Sequence, residues 1–343
     1  MAKNILFICG SLNQTSMMHK IARSLMNEHA CYFSPYYADG VEDLAYRAGW
    51  LGFTILDGRH RRDTDQYLLE NHLNVDWRGG KHAYDLVVTC SDLIVQKAIR
   101  RNRLVLVQEG ITEPEGLMYW LVRWLKLPRY LANTAASGLS DAYDIFCVAS
   151  HGYRDLFARK GIRPAKMVVT GIPNFDHFKE LTSNDPPAHE YVLAATSALR
   201  ECMLPDDRVA FIRKCVRIAD GRSLVFKLHP LENMPRAQQE IRKYAAGAQI
   251  LTEGSIDHMI ANCQVLITQR STCTFVGVAL GKEVYSDLDI AQLRRLMPIQ
   301  NNGTSAQRIG SICRRVLNTP MSELEPVRAG FRARPRWEQA DGF

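Results

Sequence analysis

The stretch Leu224-Val225-Phe226-Lys227-Leu228-His229-Pro230 reads as a strand that ends on a basic residue, a histidine and a proline. In an open α/β sheet, ligands bind beyond the carboxyl ends of the strands. An imidazole there can present an N–H to a phosphate oxygen. Pro230 stops the strand and keeps His229 extended. The same residues, taken alone, equally describe a strand running into a turn with a surface histidine. Three more strand ends in this half carry polar groups. Residues 191–195 run into Thr196, Ser197 and Arg200; residues 249–252 end at Glu253-Gly254-Ser255-Ile256; residues 264–268 run into Gln269-Arg270-Ser271-Thr272. Arg270, Ser271 and Thr272 at the start of a helix combine positive charge, hydroxyls and free amides, the groups that hold phosphate. Capping of that helix is the alternative use of the hydroxyls. Recurrence of such ends favours a nucleotide-phosphate site.

The first half offers a carboxylate. Residues 104–107 form an apolar strand that hands Gln108 and Glu109 to Gly110. A carboxylate at a sheet's carboxyl edge can serve as general base toward a hydroxyl; a helix-capping or salt-bridged glutamate is the competing reading. Residues 5–9 form the first strand, followed by a small polar loop, Gly10, Ser11, Asn13, Gln14 and Thr15, and by a helix over 17–26. Such a loop exposes helix amides to an anion or a sugar hydroxyl, unless Asn13 or Thr15 merely caps the helix. Neither the glycine spacing of a dinucleotide fingerprint nor a Walker A motif occurs. Asp287-Leu288-Asp289 has metal-motif spacing but follows the last strand, where capping is the simpler use, so no essential metal and no cofactor are expected.

The elements that must position these groups alternate strand and helix throughout, which indicates an α/β fold of two Rossmann-like domains facing a cleft. The polar, proline-rich run 182–187 is the natural linker. The expected division is 1–181, 188–318, and a basic tail over 319–343. The chain has 343 residues, 46% hydrophobic and 23% charged, with formal net charge +7. That balance suits a globular protein with acidic partners. No nucleic-acid recognition module is evident, so nucleic acid is not among the expected partners. The 9 cysteines include no C-x-x-C pair and many sit in apolar runs, which favours reduced, buried thiols. The opening segment reads as a strand, too short in apolar residues for a signal peptide. No apolar stretch approaches the ~20 residues of a membrane span. Residues 118–131 interleave aromatic, aliphatic and basic side chains. They suit a helix lying at a membrane interface, or one packed against the sheet. The cluster Arg59-His60-Arg61-Arg62 reads as a solvated helix face, or as a site for an acidic acceptor.

An acidic strand end in the first domain, with His-Pro and a Ser/Thr helix start in the second, resembles the GT-B class of glycosyltransferases. More narrowly it resembles the branch that holds CDP-glycerol glycerophosphotransferases, Kdo-type capsule transferases and bacterial sialyl- and polysialyltransferases. The likeness spans about residues 4–318. The resemblance implies that His229 and Pro230 form the family's His-Pro motif, with His229 on the donor phosphate. It implies that Ser271 and Thr272 form the phosphate motif. It also maps the acidic-acidic-Gly motif onto Gln108, Glu109 and Gly110, with Glu109 as base. Gln108 departs from that motif, and glycerophosphotransferases often carry His where Glu109 stands, so a sugar donor is favoured over glycerophosphate. The expected activity is transfer of a sugar from a nucleotide-sugar to a hydroxyl of a cell-surface glycan or lipid-linked acceptor. Thr196, Ser197, Arg200, Lys227 and residues 253–256 would lie on the donor side, and the loop 10–15 on the acceptor side. The expected location is cytoplasmic, with room for contact at the inner face of an anionic membrane. The alternatives are a CDP-glycerol-type glycerophosphotransferase, a UDP-N-acetylglucosamine 2-epimerase-like enzyme, and a basic protein that binds an anionic polymer without catalysis.

Overall fold

Short apolar runs without polar alternation mark strands buried on both faces, the pattern of parallel sheets. The computed structural model contains two such sheets. It describes residues 2–48, 55–176, 191–201, 204–269 and 271–328. The strands are β1 Asn4–Cys9, β2 Ala30–Pro35, β3 Leu86–Thr89, β4 Arg103–Val107, β5 Ile145–Val148, β6 Met167–Val169, β7 Tyr191–Ala195, β8 Ser223–Lys227, β9 Gln249–Leu251, β10 Val265–Thr268 and β11 Glu283–Tyr285. The helices are α1 Leu12–Arg23, α2 Val41–Arg47, α3 Gly58–Glu70, α4 Leu117–Leu125, α5 His151–Arg159, α6 Arg208–Ala219, α7 Met234–Tyr244, α8 Ile256–Asn262, α9 Cys273–Ala279, α10 Ile290–Leu296, α11 Ser305–Asn318 and α12 Met321–Arg328.

One sheet runs β2-β1-β3-β4-β5-β6 and the other β11-β10-β7-β8-β9, with every pairing parallel. Each is a doubly wound sheet whose strand order reverses at one point, between β1 and β3 in the first and between β7 and β10 in the second. Chain connections leave in opposite directions there, which opens a crevice beyond the strands' carboxyl ends.

The chain divides into two compact units, residues 1–176 with 301–343, and residues 177–300. The sequence had suggested that the second domain extends to 318. Instead α11 belongs to the first unit. Its apolar face, including Ile309, Ile312, Cys313 and Val316, is buried, and α11 packs against α1, β3 and β4. Polar ties fix both ends: Ser305 N donates to Asp176 at 2.7 Å, Lys3 Nζ to the Leu317 carbonyl at 2.6 Å, and Arg314 pairs with Glu28 at 2.8 Å. A chain leaving the second unit at 300 thus returns to finish the first. The expected linker 182–187 and the tail from 329 onward lie outside the described residues. Eight cysteines are free thiols, all buried except the half-buried Cys273; Cys202 lies outside the described residues.

In the second unit the core is built from Val192, Ala194, Phe226, Val265 and Ile267 on the strands, with Phe211, Ile212 and Ile241 on α6 and α7. Across the sheet, α9 approaches β10 and β11 closely because it carries Gly277 at the contact. A Cβ there would meet Leu266 Cδ2 at 2.6 Å and Val284 Cγ2 at 2.9 Å. Gly277→Ala should therefore lower stability by about 1–3 kcal/mol through overpacking, read as a lower urea midpoint at unchanged slope.

Candidate active site

In the second unit the expected donor-side residues do converge on the carboxyl ends of β7 to β10, but a buried polar network underlies them. After β8, residues 229–232 form a tight turn in which Glu232 N donates to the His229 carbonyl at 3.0 Å. Pro230 takes the second position, where its fixed φ fits. The turn folds the Glu232 carboxylate back beneath the backbone: Oε2 accepts His229 N–H at 2.8 Å and the Thr196 hydroxyl. His229 N also reaches Thr196 Oγ1 at 3.1 Å. The other carboxylate oxygen, Oε1, lies 2.6 Å from Arg208 Nη2. Glu232 and Arg208 are 6% and 3% exposed, so the pair is removed from water. Arg208 also contacts Asp206 at 3.2 Å and the Ser197 carbonyl at 2.9 Å. Asp206 in turn accepts from Gln269 Nε2 at 2.9 Å and pairs with Arg200 at 3.3 Å.

This network fixes the chemistry of the imidazole. His229 Nδ1 accepts the backbone N–H of Leu231 at 3.2 Å. An amide nitrogen can only donate, so in the neutral ring the proton sits on Nε2. Among the described residues Nε2 has no partner, and the ring is half-buried. His229 is thus held, in its neutral form, as an N–H donor through Nε2.

Two expected donor-side residues are already committed elsewhere. Lys227 is 7% exposed and its ammonium donates to the carbonyls of Thr252 at 2.8 Å and Leu228 at 3.3 Å, tying the ends of β8 and β9 together. Arg200 forms a two-pronged contact with Glu240 at 2.8 and 2.7 Å. Both therefore hold partners within the fold, Lys227 as a buried ammonium and Arg200 as a half-buried guanidinium. Thr196, buried beneath His229, supports the turn. Pro230 is exposed at the turn's corner. Glu253, Gly254 and Ser255 are exposed and Ile256 half-buried, in a loop where Gly254 adopts φ +96° and Ser255 caps α8. Ser271 Oγ accepts from Cys273 N at 3.2 Å and so closes its own turn, while Thr272 is exposed. Arg270 lies outside the described residues. Asp289 caps α10, as its position after the last strand suggested, accepting from Gln292 N at 3.0 Å. Around the β7/β10 crevice the expected Ser197 is joined by Thr268 and Gln269, which the sequence did not single out as site residues. There Ser197 Oγ, Thr268 Oγ1 and Gln269 Oε1 are buried without a hydrogen-bond partner among the described residues. Gln269, Asp206, Leu199, Pro205, Phe211 and Lys214 line a cavity of about 400 Å³ beside them.

In the first unit, the loop 10–15 after β1 meets Glu109, which follows β4. Ser11 caps α1 in a capping box: Gln14 N donates to Ser11 Oγ, and Ser11 N to Gln14 Oε1 at 3.1 Å. With its oxygen so engaged, the Gln14 amide nitrogen points to Glu109 Oε2, 2.5 Å away. Gly10 makes this possible, since a Cβ there would stand 1.5 Å from Gln14 Oε1. Asn13 is tied to Asn174 at 2.8 Å, and Thr15 is fully buried with its hydroxyl on the Ser11 carbonyl at 2.8 Å. These two shape the loop, and Gln14 alone of the five donates to the carboxylate. Gln108 explains the departure from an acidic pair. Its oxygen accepts Ala149 N at 2.9 Å while its nitrogen donates to the Gly110 carbonyl at 2.7 Å. An ionised carboxylate accepts only, so it cannot bridge both. Glu109 is half-buried, and burial raises its pKa above the usual carboxylate range, with the Gln14 hydrogen bond opposing. Burial also pushes the Cys90 thiol well up, aided by the nearby Glu109 charge.

No protein-family model matches the sequence, and no curated protein matches it. Solved structures do. A UDP-N-acetylglucosamine 2-epimerase superposes with TM-score 0.54 at 14% identity, covering 97% of this chain and 98% of that one. A co-structure of an S. aureus protein with UDP gives 0.54 at 12%, covering 93% and 98%. The Neisseria meningitidis UDP-GlcNAc 2-epimerase bound to UDP-GlcNAc gives 0.52 at 12%, covering 91% and 100%. The fold is of the GT-B class. At these identities the likeness is one of fold, and the GT-B build is two Rossmann-like α/β units, as the sequence implied.

Removing Gln14's hydrogen bond leaves burial unopposed. Gln14→Leu should raise the Glu109 pKa further and move any acid limb that depends on its carboxylate to higher pH. Glu109→Gln should stabilise the fold at neutral pH. A raised folded-state pKa favours the protonated form, so the wild type loses stability as pH rises from the unfolded glutamate pKa through the folded one. The two proteins' thermal midpoints should therefore converge below about pH 4.3. Arg208→Ala should cost about 3–5 kcal/mol by stranding two buried carboxylates, measured by chemical denaturation.

Proposed function

We propose that the chain is an enzyme acting on nucleotide-activated sugars, and that it transfers the sugar to a hydroxyl of a cell-surface glycan or lipid-linked acceptor. The observation that carries this reading is the tautomer of His229, whose Nδ1 accepts from Leu231 N and leaves Nε2–H as the donor, just beyond a strand's carboxyl end with its backbone locked by Glu232. Such a donor suits a phosphate oxygen that gains negative charge as the glycosyl bond breaks. Stabilisation of this kind is worth roughly 2.7–4 kcal/mol per preorganised donor.

In this scheme the acceptor oxygen bonds to the sugar's anomeric carbon, the bond from that carbon to the nucleotide's phosphate oxygen breaks, and Glu109 takes the acceptor's proton. A carboxylate whose pKa is raised by burial is a stronger base than a solvated one. Ser271, Thr272, the loop 253–256 and, from the sequence, Arg270 would complete the donor side; the scheme requires no cofactor and no metal. It carries with it a cytoplasmic location, where the donor nucleotide would be met. A second reading, an epimerase of nucleotide sugars, is favoured by the activity named for the solved structures above.

Incubation with UDP-GlcNAc separates the two: a transferase releases UDP only when a hydroxyl acceptor is added, whereas an epimerase forms the epimer alone. A panel with CMP-, CDP- and GDP-linked donors covers the other bases. Glu109→Gln should abolish turnover with nucleotide affinity kept. His229→Ala should weaken nucleotide binding by about ten- to a hundredfold, in the range of a hydrogen bond to a charged group. Absence of any nucleotide affinity in calorimetry would refute both readings.

A further inference from the structure

A helix on a protein surface ordinarily turns its polar face to water. α4 does the opposite. Its inward residues, Tyr119 and Val122, pack with Ala132, Ala135 and Ala136 of the 3-10 segment Arg129–Ala136 that follows. Its outward residues are also apolar. Leu117 is 78% exposed, Trp124 77% and Leu125 64%, with Met118 and Trp120 beside them. Leu127, Tyr130 and Leu131 extend this surface along the returning segment. These eight large side chains fall within 15 consecutive residues, 117–131, of one hairpin-like element.

Within the segment itself the charges have one sign. Between residues 116 and 140 there are three cations, Arg123, Lys126 and Arg129, and no Asp or Glu. Two of the cations are braced: Arg123 donates to the Lys160 carbonyl at 2.9 Å and to Tyr119 Oη at 3.1 Å, and Arg129 to the Asp92 carbonyl at 3.2 and 3.1 Å. Lys126, in the left-handed position that ends α4, is exposed. Of the bordering carboxylates, Glu115 is 3.9 Å from Lys160 and Glu42 meets the Tyr130 hydroxyl. Tryptophan and tyrosine next to fixed cations match a headgroup boundary, with aromatic rings in the acyl edge and positive charge on phosphates.

We propose that the outward face of α4 and of residues 127–131 docks on an anionic lipid bilayer. The helix has 9 residues, about 14 Å at 1.5 Å per residue, so it lies on the surface and does not cross. Among the described residues no helix is long and apolar enough to cross. This surface is independent of the reaction assigned above, and its test uses no substrate.

The full-length chain is sedimented with phosphatidylcholine vesicles, with and without phosphatidylglycerol. Tryptophan emission is followed in parallel. The wild type should pellet with the phosphatidylglycerol vesicles, show a blue shift, and be released as salt rises. The double substitution Leu117→Ser and Leu125→Ser should lower partitioning by at least about tenfold, since each buried leucine contributes a transfer term of that order. It leaves Trp120, Trp124 and the inward face in place, so an unchanged thermal midpoint shows that the fold is intact. Lys126→Glu should weaken binding to anionic vesicles alone. Wild-type protein that stays in the supernatant with phosphatidylglycerol vesicles, or a double variant that pellets equally, overturns the proposal. So does a wild-type dimer that the double variant breaks while neither binds vesicles.

Discussion

The Glu232 carboxylate, buried beneath the turn after β8, is the constraint on which the second unit's site depends. It faces an arginine on one side and two hydrogen-bond donors of the site on the other. A buried carboxylate is costly unless paired and hydrogen-bonded. Here Arg208 supplies the counter-charge, and Thr196 with the His229 backbone supplies the donors. That arrangement couples four segments: the end of β7, the turn after β8, the start of α6, and, through Asp206, the Gln269 amide after β10. His229 is therefore set by the fold's own charge balance rather than by loop preference. The conformational freedom that a ligand contact normally has to remove is already gone.

The first unit solves a similar problem with neutral amides. Among the described residues, Glu109 at its strand end has no cation against it and only Gln14 donates to it. The result is a carboxylate held in one orientation yet left more basic than in water, because burial outweighs a single hydrogen bond. An arginine in place of Gln14 would hold it as firmly but would depress its pKa. Gly10, Ser11 and Gln14 thus act as one device, in which the missing Cβ makes room for the amide that does the holding.

Much of this was legible in the sequence. Apolar runs of four to six residues located the strands, and their polar ends located the residues that the fold gathers. Glu109 and His229 stood out because each follows a buried strand and precedes a residue that ends it. The sequence could not show what each charge is used for. Lys227 and Arg200 look like ligand contacts in one dimension, and nothing in that pattern shows the partners each also has 25 to 40 residues away, Thr252 and Glu240. Glu232, Arg208, Asp206 and Gln269 were missed as a network for the same reason. One local sign was present: Glu232 stands three residues after His229, the spacing at which a side chain folds back onto a turn. The return of α11 to the first unit was hidden too, because its apolar face packs on strands some two hundred residues earlier.

The most direct test of the account is nitrogen NMR of uniformly labelled imidazoles, with the His229 signal assigned by its loss in His229→Gln. The account predicts that the neutral form of the ring carries its proton on Nε2, with Nδ1 showing hydrogen-bond acceptance, and that the Nε2–H signal moves on addition of UDP. An Nδ1-protonated ring, or an Nε2–H signal indifferent to saturating UDP, CDP, CMP and GDP alike, would contradict it.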